Sequence, residues 1–167
     1  MPAKRWPLER FAEVGQTLID RFDIWPIVFG GAEDSADGQR LLESWGRGYN
    51  AAGQLSLRAS AVALKHCLLY IGNDTGTMHL AASVGTRCVA IFSARDWPGR
   101  WHPYGDGHRV LRAAIDCEGC GLIECLERKN ECLARISAAQ VLEACEALLA
   151  AREARSSKLE VSKSAPI

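Results

Sequence analysis

Hydrophobic positions along the chain fall into short blocks whose spacing alternates between helical and strand-like periods. Leu8, Phe11, Val14, Leu18 and Ile19 recur at helical spacing, and Pro7 suits a first turn, where its missing N–H is not needed. The run Ile24–Phe29 ends at Gly30-Gly31 and predicts a strand stopping at a tight turn. Asp34 or Ser35 is a candidate cap for a second helix through Leu41, Leu42 and Trp45, closed by Gly46 and Gly48. After a loop holding Gly53, Ser56 can cap a third helix through Leu57, Ala61, Leu64 and Lys65.

A buried strand Cys67–Ile71, a sharp turn at Gly72–Gly76 and a helix of small residues, Thr77–Val84, come next. Cys88–Phe92 is a second apolar strand. Residues 93–107 form a loop rich in Pro, Gly and Trp, His108–Ala113 predicts a last short strand, and a helix starts at Ser137 and ends near Ala151. Strands that are continuously apolar, rather than alternating, belong to a parallel sheet covered on both faces. The expected fold is therefore a Rossmann-like α/β domain over residues 1–152, with a Cys-rich excursion at 117–132 and a polar tail at 153–167 without fixed structure. The chain opens at a helix, not at the first strand such a fold normally has.

Composition narrows the function. With 167 residues, one domain with a real core is expected. Twenty basic and twenty acidic residues leave a net charge of zero, so no global field draws nucleic acid or an anionic membrane, and any anion needs a local site. The longest apolar runs are strand-sized, and the N-terminus lacks a signal-peptide core, so the expected compartment is the cytoplasm.

The chemistry concentrates in Tyr70-Ile-Gly-Asn-Asp-Thr-Gly-Thr-Met-His-Leu80. A strand–turn–helix passage aims the free N–H groups of a helix N-terminus at the sheet's C-terminal edge, where they and the helix dipole favour a diphosphate. Gly76 lets an anion approach the backbone. Thr75 and Thr77 add hydroxyl donors, and His79 can donate to a phosphate oxygen from the first turn. Asp74 can stiffen the turn by accepting backbone N–H bonds. The same residues also satisfy any strand-to-helix loop that needs a cap and a glycine, and spacing alone leaves both readings open.

Four stretches in register carry a resemblance. Asn73-Asp-Thr-Gly-Thr-Met-His-Leu-Ala-Ala82 resembles the Asp-(Ser/Thr)-Gly-x-x-His signature of family 9 glycosyltransferases, which include the lipopolysaccharide heptosyltransferases. Lys4-Arg-Trp-Pro-Leu-Glu-Arg-Phe-Ala12 is similar to the opening of that family's donor-binding domain. Gly53-Gln-Leu-Ser-Leu-Arg58 resembles its Gly-x-(Thr/Leu)-Ser-Leu segment, and Cys117, Cys120, Cys125 and Cys132 resemble a cysteine pattern of some members.

The resemblance implies the C-terminal half of a GT-B glycosyltransferase, two Rossmann-like domains facing across a cleft. The absent N-terminal half would supply the acceptor site and the catalytic carboxylate, so the chain is expected to be inactive alone. Lys4 and Asp74 are then catalytic-site residues. Lys4 offsets charge on the departing nucleoside diphosphate, while Thr75, Gly76, Thr77 and His79 hold the diphosphate and adjoining sugar. Glu33 matches, less securely, a carboxylate that accepts ribose hydroxyls. The implied reaction is inverting transfer from a nucleotide-diphospho-sugar, ADP-sugar favoured, to a bacterial surface glycan or lipid-linked acceptor, with peripheral inner-membrane contact. No metal is required by that chemistry, and no Asp-x-Asp pair is present. Without the family, Lys4 reads as a solvated terminal lysine and Glu33 as a loop glutamate. Ser93 and the segment Ala94–Gly105 depart from the best-known members, which leaves heptose and adenine open.

Seven cysteines cannot all pair internally. Cys117, Cys120, Cys125 and Cys132 are compatible with a structural zinc or with reduced thiols packed as small apolar groups. Cys67, Cys88 and Cys145 fall at core-like positions. Arg95 and Arg100, among Trp97, Trp101, His102 and Tyr104, can meet phosphate or anchor their loop. Two further hypotheses stand beside the transferase: a non-catalytic nucleotide- or zinc-binding module that kept the fold, and a sugar epimerase of the same architecture.

Overall fold

The computed structural model describes residues 1–163. A 3-10 turn at Pro2–Lys4 leads into α1 (Leu8–Phe22), β1 (Ile27–Val28), a 3-10 turn at Ala32–Asp34, α2 (Ser35–Trp45) and β2 (Tyr49–Asn50). Then come α3 (Leu57–His66), β3 (Tyr70–Asn73), α4 (Gly76–Ser83), β4 (Cys88–Phe92), β5 (Arg109–Arg112), α5 (Glu131–Ala134) and α6 (Ala138–Lys163).

The caps explain most boundaries. The Ser56 hydroxyl accepts the Ala59 N–H at 3.2 Å and starts α3. Gly46, left-handed at φ 66°, ends α2, a conformation that costs glycine little. Ser137 and Gln140 form a reciprocal pair opening α6. The Ser137 hydroxyl accepts the Gln140 N–H at 3.3 Å, and Gln140 Oε1 accepts the Ser137 N–H at 2.8 Å. α6 continues past the end expected near Ala151 because neither Gly nor Pro interrupts it before Pro166. The last residues of the expected tail, 164–167, lie outside the described residues.

β4 organises the core, and all five of its residues are buried. Val89 and Ile91 point to one face, into a cluster with Val14 and Leu18 of α1 and Val141, Cys145 and Leu148 of α6. Cys88, Ala90 and Phe92 point to the other, against Leu64 of α3 and Met78, Ala81 and Ala82 of α4. Helices therefore cover both faces of a parallel sheet, as the continuous apolar strands required.

Three expectations are corrected. The third strand is Tyr70–Asn73, not Cys67–Ile71. α3 runs to His66, Cys67 caps it by donating its N–H to Leu64 O at 2.9 Å, and Leu68–Leu69 carry the chain to the sheet. Tyr49–Asn50, read as loop, is a strand, whereas within Ile24–Phe29 only Ile27–Val28 pairs with it. The strands also form two separate parallel sheets, β1–β2 and β3–β4–β5, instead of one.

Candidate functional site

Where β3 gives way to α4, the chain turns through Asp74 and Thr75. Thr75 is extended (φ −143°, ψ 168°), and no side chain caps the helix behind it. The opening amides of α4 are therefore left without an internal side-chain acceptor, the condition under which a helix N-terminus takes an anion. A Cβ placed on Gly76 would meet no protein atom within 4 Å. Among the described residues, nothing beyond the neighbouring backbone of the turn fills the space over Gly76.

The turn is braced from below. Tyr70 is half-buried, and the burial of its hydroxyl pushes it up to about 12. A side chain at Gly72 would collide with the Tyr70 ring, so this glycine gives the ring its place. Asp74 donates its N–H to Ile91 O at 3.3 Å and keeps its carboxylate almost wholly buried.

That carboxylate is met by Lys4 from the far end of the chain. Sequence reasoning gave Asp74 backbone N–H partners; among the described residues its carboxylate instead accepts the Lys4 ammonium. Lys4 Nζ is also 3.7 Å from Asp96, and His79 Nε2 lies 3.9 Å from the other Asp74 oxygen. The lysine is no solvated terminus. Ala3 is buried and donates its N–H to Ile123 O at 2.9 Å. The Trp6 N–H bonds Asn73 Oδ1 at 3.0 Å, and its buried indole donates to Ile136 O at 2.9 Å. These contacts fix the backbone on both sides of Lys4, so its charge is delivered to the mouth of α4 by packing.

Asp96 and Asn73 escaped the sequence reading. Asp96 sits in a loop whose course the residues do not announce, and only the folded loop brings it beside Lys4. Arg95 does not face the α4 amides. It pairs with Asp96 at 2.7 Å and donates to Leu122 O and Gly121 O at 2.8 and 2.7 Å, tying the aromatic loop to the Cys-rich segment. Lys4, Asp74, Arg95 and Asp96 thus form a mixed cluster of two cations and two anions, close to neutral in sum. Arg100 lies over the exposed Trp101 ring at 5.5 Å. Trp97 and Tyr104 are exposed as well, and His102 meets Phe92 edge-on at 5.3 Å.

Thr77 borders, with Thr75, Arg5 and Asp34, the rim of an open cleft of about 790 Å³. Glu33 sits on the 3-10 turn after β1, exposed to solvent and not among the residues lining that cleft. Arg5 connects the two sides, 3.1 Å from Asp34 and 3.5 Å from Asp37. The site thus gathers Lys4, Asp74, Thr75, Gly76, Thr77 and His79 at one sheet edge, while Glu33 lies on the next strand's exit.

Cys117, Cys120, Cys125 and Cys132 all line one small cavity of about 10 Å³. Among the described residues no group of three His, Cys, Asp or Glu side chains is placed to hold a metal ion, so of the two readings the thiols fit reduced cysteines and not a zinc site. Cys88 and Cys145 are buried as expected, Cys67 only half so. Trp25, within the predicted strand Ile24–Phe29, is exposed beside Arg47.

The profile described as glycosyltransferase family 9 (heptosyltransferase) matches residues 1–131. The chain belongs to glycosyltransferase family 9. It is 31% identical over 160 residues to lipopolysaccharide heptosyltransferase 2 of Escherichia coli (strain K12), an alignment covering 92% of this chain and 45% of that protein. Its fold superposes on the structure of E. coli ADP-heptose lps heptosyltransferase II with a TM-score of 0.74 and 31% identity, over 91% of this chain and 44% of that one. E. coli heptosyltransferase WaaC with ADP shares the fold at a TM-score of 0.71 and 24% identity, over 89% and 41% of the two chains. This family 9 chain therefore spans about half the length of the relatives it matches, and its architecture is that of one Rossmann-like half of a GT-B glycosyltransferase.

Proposed function

We propose that this chain is the donor-binding half of an inverting, heptosyltransferase-like glycosyltransferase, and that its α4 entrance holds the diphosphate of an ADP-sugar. The observation that carries the reading is the uncapped N-terminus of α4, open over Gly76, with Lys4 folded against Asp74 beside it. The named substrate of a relative, ADP-heptose, supports an ADP-sugar as donor.

In the proposed reaction an acceptor hydroxyl attacks the donor's anomeric carbon from the face opposite the leaving group. A C–O bond to the acceptor forms as the bond to the diphosphate oxygen breaks, and the nucleoside diphosphate leaves with the electron pair. The hydroxyl proton passes to a carboxylate of the N-terminal Rossmann-like acceptor domain. This chain's part is to stabilise the leaving group. The amides opening α4 and the helix dipole receive its negative charge, and Lys4 turns from Asp74 toward a phosphate oxygen. Thr75, Thr77 and His79 donate to the diphosphate or the adjoining sugar. Glu33, on the turn after β1, accepts the ribose hydroxyls. The leaving-group charge is met without a metal ion, and no zinc enters the reaction.

The acceptor is a bacterial surface glycan or lipid-linked sugar, and the reaction belongs to lipopolysaccharide assembly at the cytoplasmic face of the inner membrane. Among the described residues no helix is long and apolar enough to cross a membrane. Titration calorimetry with ADP-, UDP- and GDP-sugars on this chain tests the reading. ADP-sugars should bind and the others bind more weakly; no heat from any of the three would refute it.

A further inference from the structure

The Cys-rich segment lies directly behind the Lys4 cluster. Cys117, Cys120, Cys125 and Cys132 share the walls of their 10 Å³ cavity with Ala3 and Arg95. Ala3 precedes Lys4 and Arg95 precedes Asp96, so the backbone that holds both members of this ion pair forms part of the thiol cavity. All four cysteines are free thiols.

The segment meets the rest of the chain through separate hydrogen bonds. The Gly119 and Gly121 N–H groups, one on each side of Cys120, donate to Ala94 O and Arg95 O at 2.8 Å, which fixes Cys120 against the loop that carries Asp96. Ile123 O accepts the Ala3 N–H at 2.9 Å, and the Asn130 side-chain amide donates to Pro2 O at 3.2 Å, so the turn before Lys4 is gripped twice. Cys132 stands on α5 and packs against the main core, next in sequence to the fully buried Leu133. Between Cys125 and Cys132 the chain passes through two consecutive left-handed residues, Lys129 and Asn130, at φ 45° and 56°, a conformation costly to side chains with a Cβ. Asn130 also lines the cavity, and its Oδ1 is buried without a hydrogen-bond partner among the described residues. The segment is thus gathered around its thiols, strained at its base and fastened to the site by isolated hydrogen bonds.

We infer that this segment is a thiol–disulfide lock, closed by a bond between Cys120 and Cys132. Cys120 is the exposed member of the four, so a dissolved oxidant meets it first. Cys132 is the member anchored on the core. A Cys117–Cys120 bond would close one short turn and fasten nothing outside it, whereas Cys120–Cys132 ties the Asp96 loop to α5. The oxidant is a low-molecular-weight disulfide of the glutathione type. Cys120 gives its proton to water, and its thiolate attacks one sulfur of that disulfide, displacing a small thiolate and leaving a mixed disulfide. Cys132, its proton likewise given to water, attacks the Cys120 sulfur and displaces the second small thiolate. Two cysteine thiols are oxidised by two electrons, which reduce one small disulfide to two thiols. The new bond holds the sulfurs about 2 Å apart and takes away the freedom of the loop between them, so the hydrogen bonds from the segment to Ala3, Ala94 and Arg95 open less often. The closed lock then holds Lys4 more firmly beside Asp74 and Asp96 and slows its turn toward a phosphate, a last step that alone rests on the donor reading.

The test equilibrates the full chain, without nucleotide, in glutathione buffers that run from reducing to oxidising. Free thiols are alkylated and the cysteines mapped by mass spectrometry, and amide hydrogen exchange is read by NMR at both ends of the series. The expected result is a Cys120–Cys132 disulfide that forms and reverses with the buffer, with exchange at the Ala3, Gly119 and Gly121 amides slowed about tenfold or more in the oxidised chain. Cys120→Ser should keep the reduced exchange rates in either buffer, and the wild-type series carries the test alone if that variant does not fold. Thiols that stay free or only capped by glutathione, a different pairing, a bond between two chains, or a Cys120–Cys132 bond that leaves the three amides unchanged would each overturn the inference. Since no ligand is present, a failure of the donor reading leaves all of these readouts where they are.

Discussion

Lys4 Nζ is seated against the Asp74 carboxylate, joining residues 70 positions apart at the point where β3 hands over to α4. Both partners are largely withdrawn from water, with 17% and 7% exposure, so the contact is stronger than a surface ion pair. In the proposed donor site, the pairing also serves as a store, holding a cation beside the α4 entrance until an anion arrives.

Replacing Lys4 by Met should weaken ADP-sugar binding about 10–100-fold, the equivalent of losing one hydrogen bond to a charged group. It also leaves Asp74 buried and unpaired, which costs about 1–3 kcal/mol in urea unfolding. Adding Asp74→Asn should recover much of that stability without recovering affinity. A double variant that binds as well as the wild type would show that Lys4 acts only through the fold.

Asp96 competes with any ligand for Lys4 at 3.7 Å. Asp96→Asn should therefore tighten ADP binding a few-fold, an effect that fades in high salt. Calorimetry at two ionic strengths reads both parts. Weaker binding in the variant would mean that Asp96 orients the site instead of opposing the anion.

Much of this arrangement could be read before folding, and the failures have physical causes. β4 and α4 were legible because a buried parallel strand and a small-residue helix leave unbroken apolar runs. The α4 turn was legible as a helix entrance, yet spacing alone left its purpose undecided; the family resemblance brought Lys4 to it. Tyr49–Asn50 was missed because two residues between glycine-bearing turns carry no period, and only pairing with Ile27–Val28 makes them a strand. Asp96 was missed because its place depends on Arg95 and Arg112 drawing the loop back to the sheet.

Alkaline pH should unfold the protein through groups that are buried neutral. Burial pushes the Cys88 and Cys145 thiols up to about 12 from 9.0, and Tyr70 up to about 12 from 10.0. In each case the unfolded chain loses its proton first. The stability these groups hold is complete below pH 9, and each sheds about 1.4 kcal/mol per pH unit between its two values. The urea midpoint should fall from about pH 9 and fall faster above 10, and Tyr70→Phe should remove only the second increment. A midpoint that stays flat to pH 11 would contradict this.

Gly76 separates folding from binding. Among the described residues nothing outside the neighbouring backbone lies within 4 Å of a Cβ there, and the backbone is helical, so Gly76→Ala should leave stability unchanged or raise it by up to about 1 kcal/mol. In the proposed donor site the same methyl group stands where a diphosphate would approach the amides, and affinity for ADP-sugar should drop about tenfold or more. Unfolding and calorimetry on one preparation read both. A loss of stability without a loss of affinity would reverse the assignment.

The most direct measurement is an ¹⁵N-resolved NMR titration of the full chain with ADP, followed at the backbone amides and at Lys4 Nζ. Saturable shifts centred on Thr75, Gly76, Thr77 and Met78, moving in step with the Lys4 ammonium, are the predicted result. Saturation with those four amides and Lys4 unmoved, while signals elsewhere respond, would contradict it.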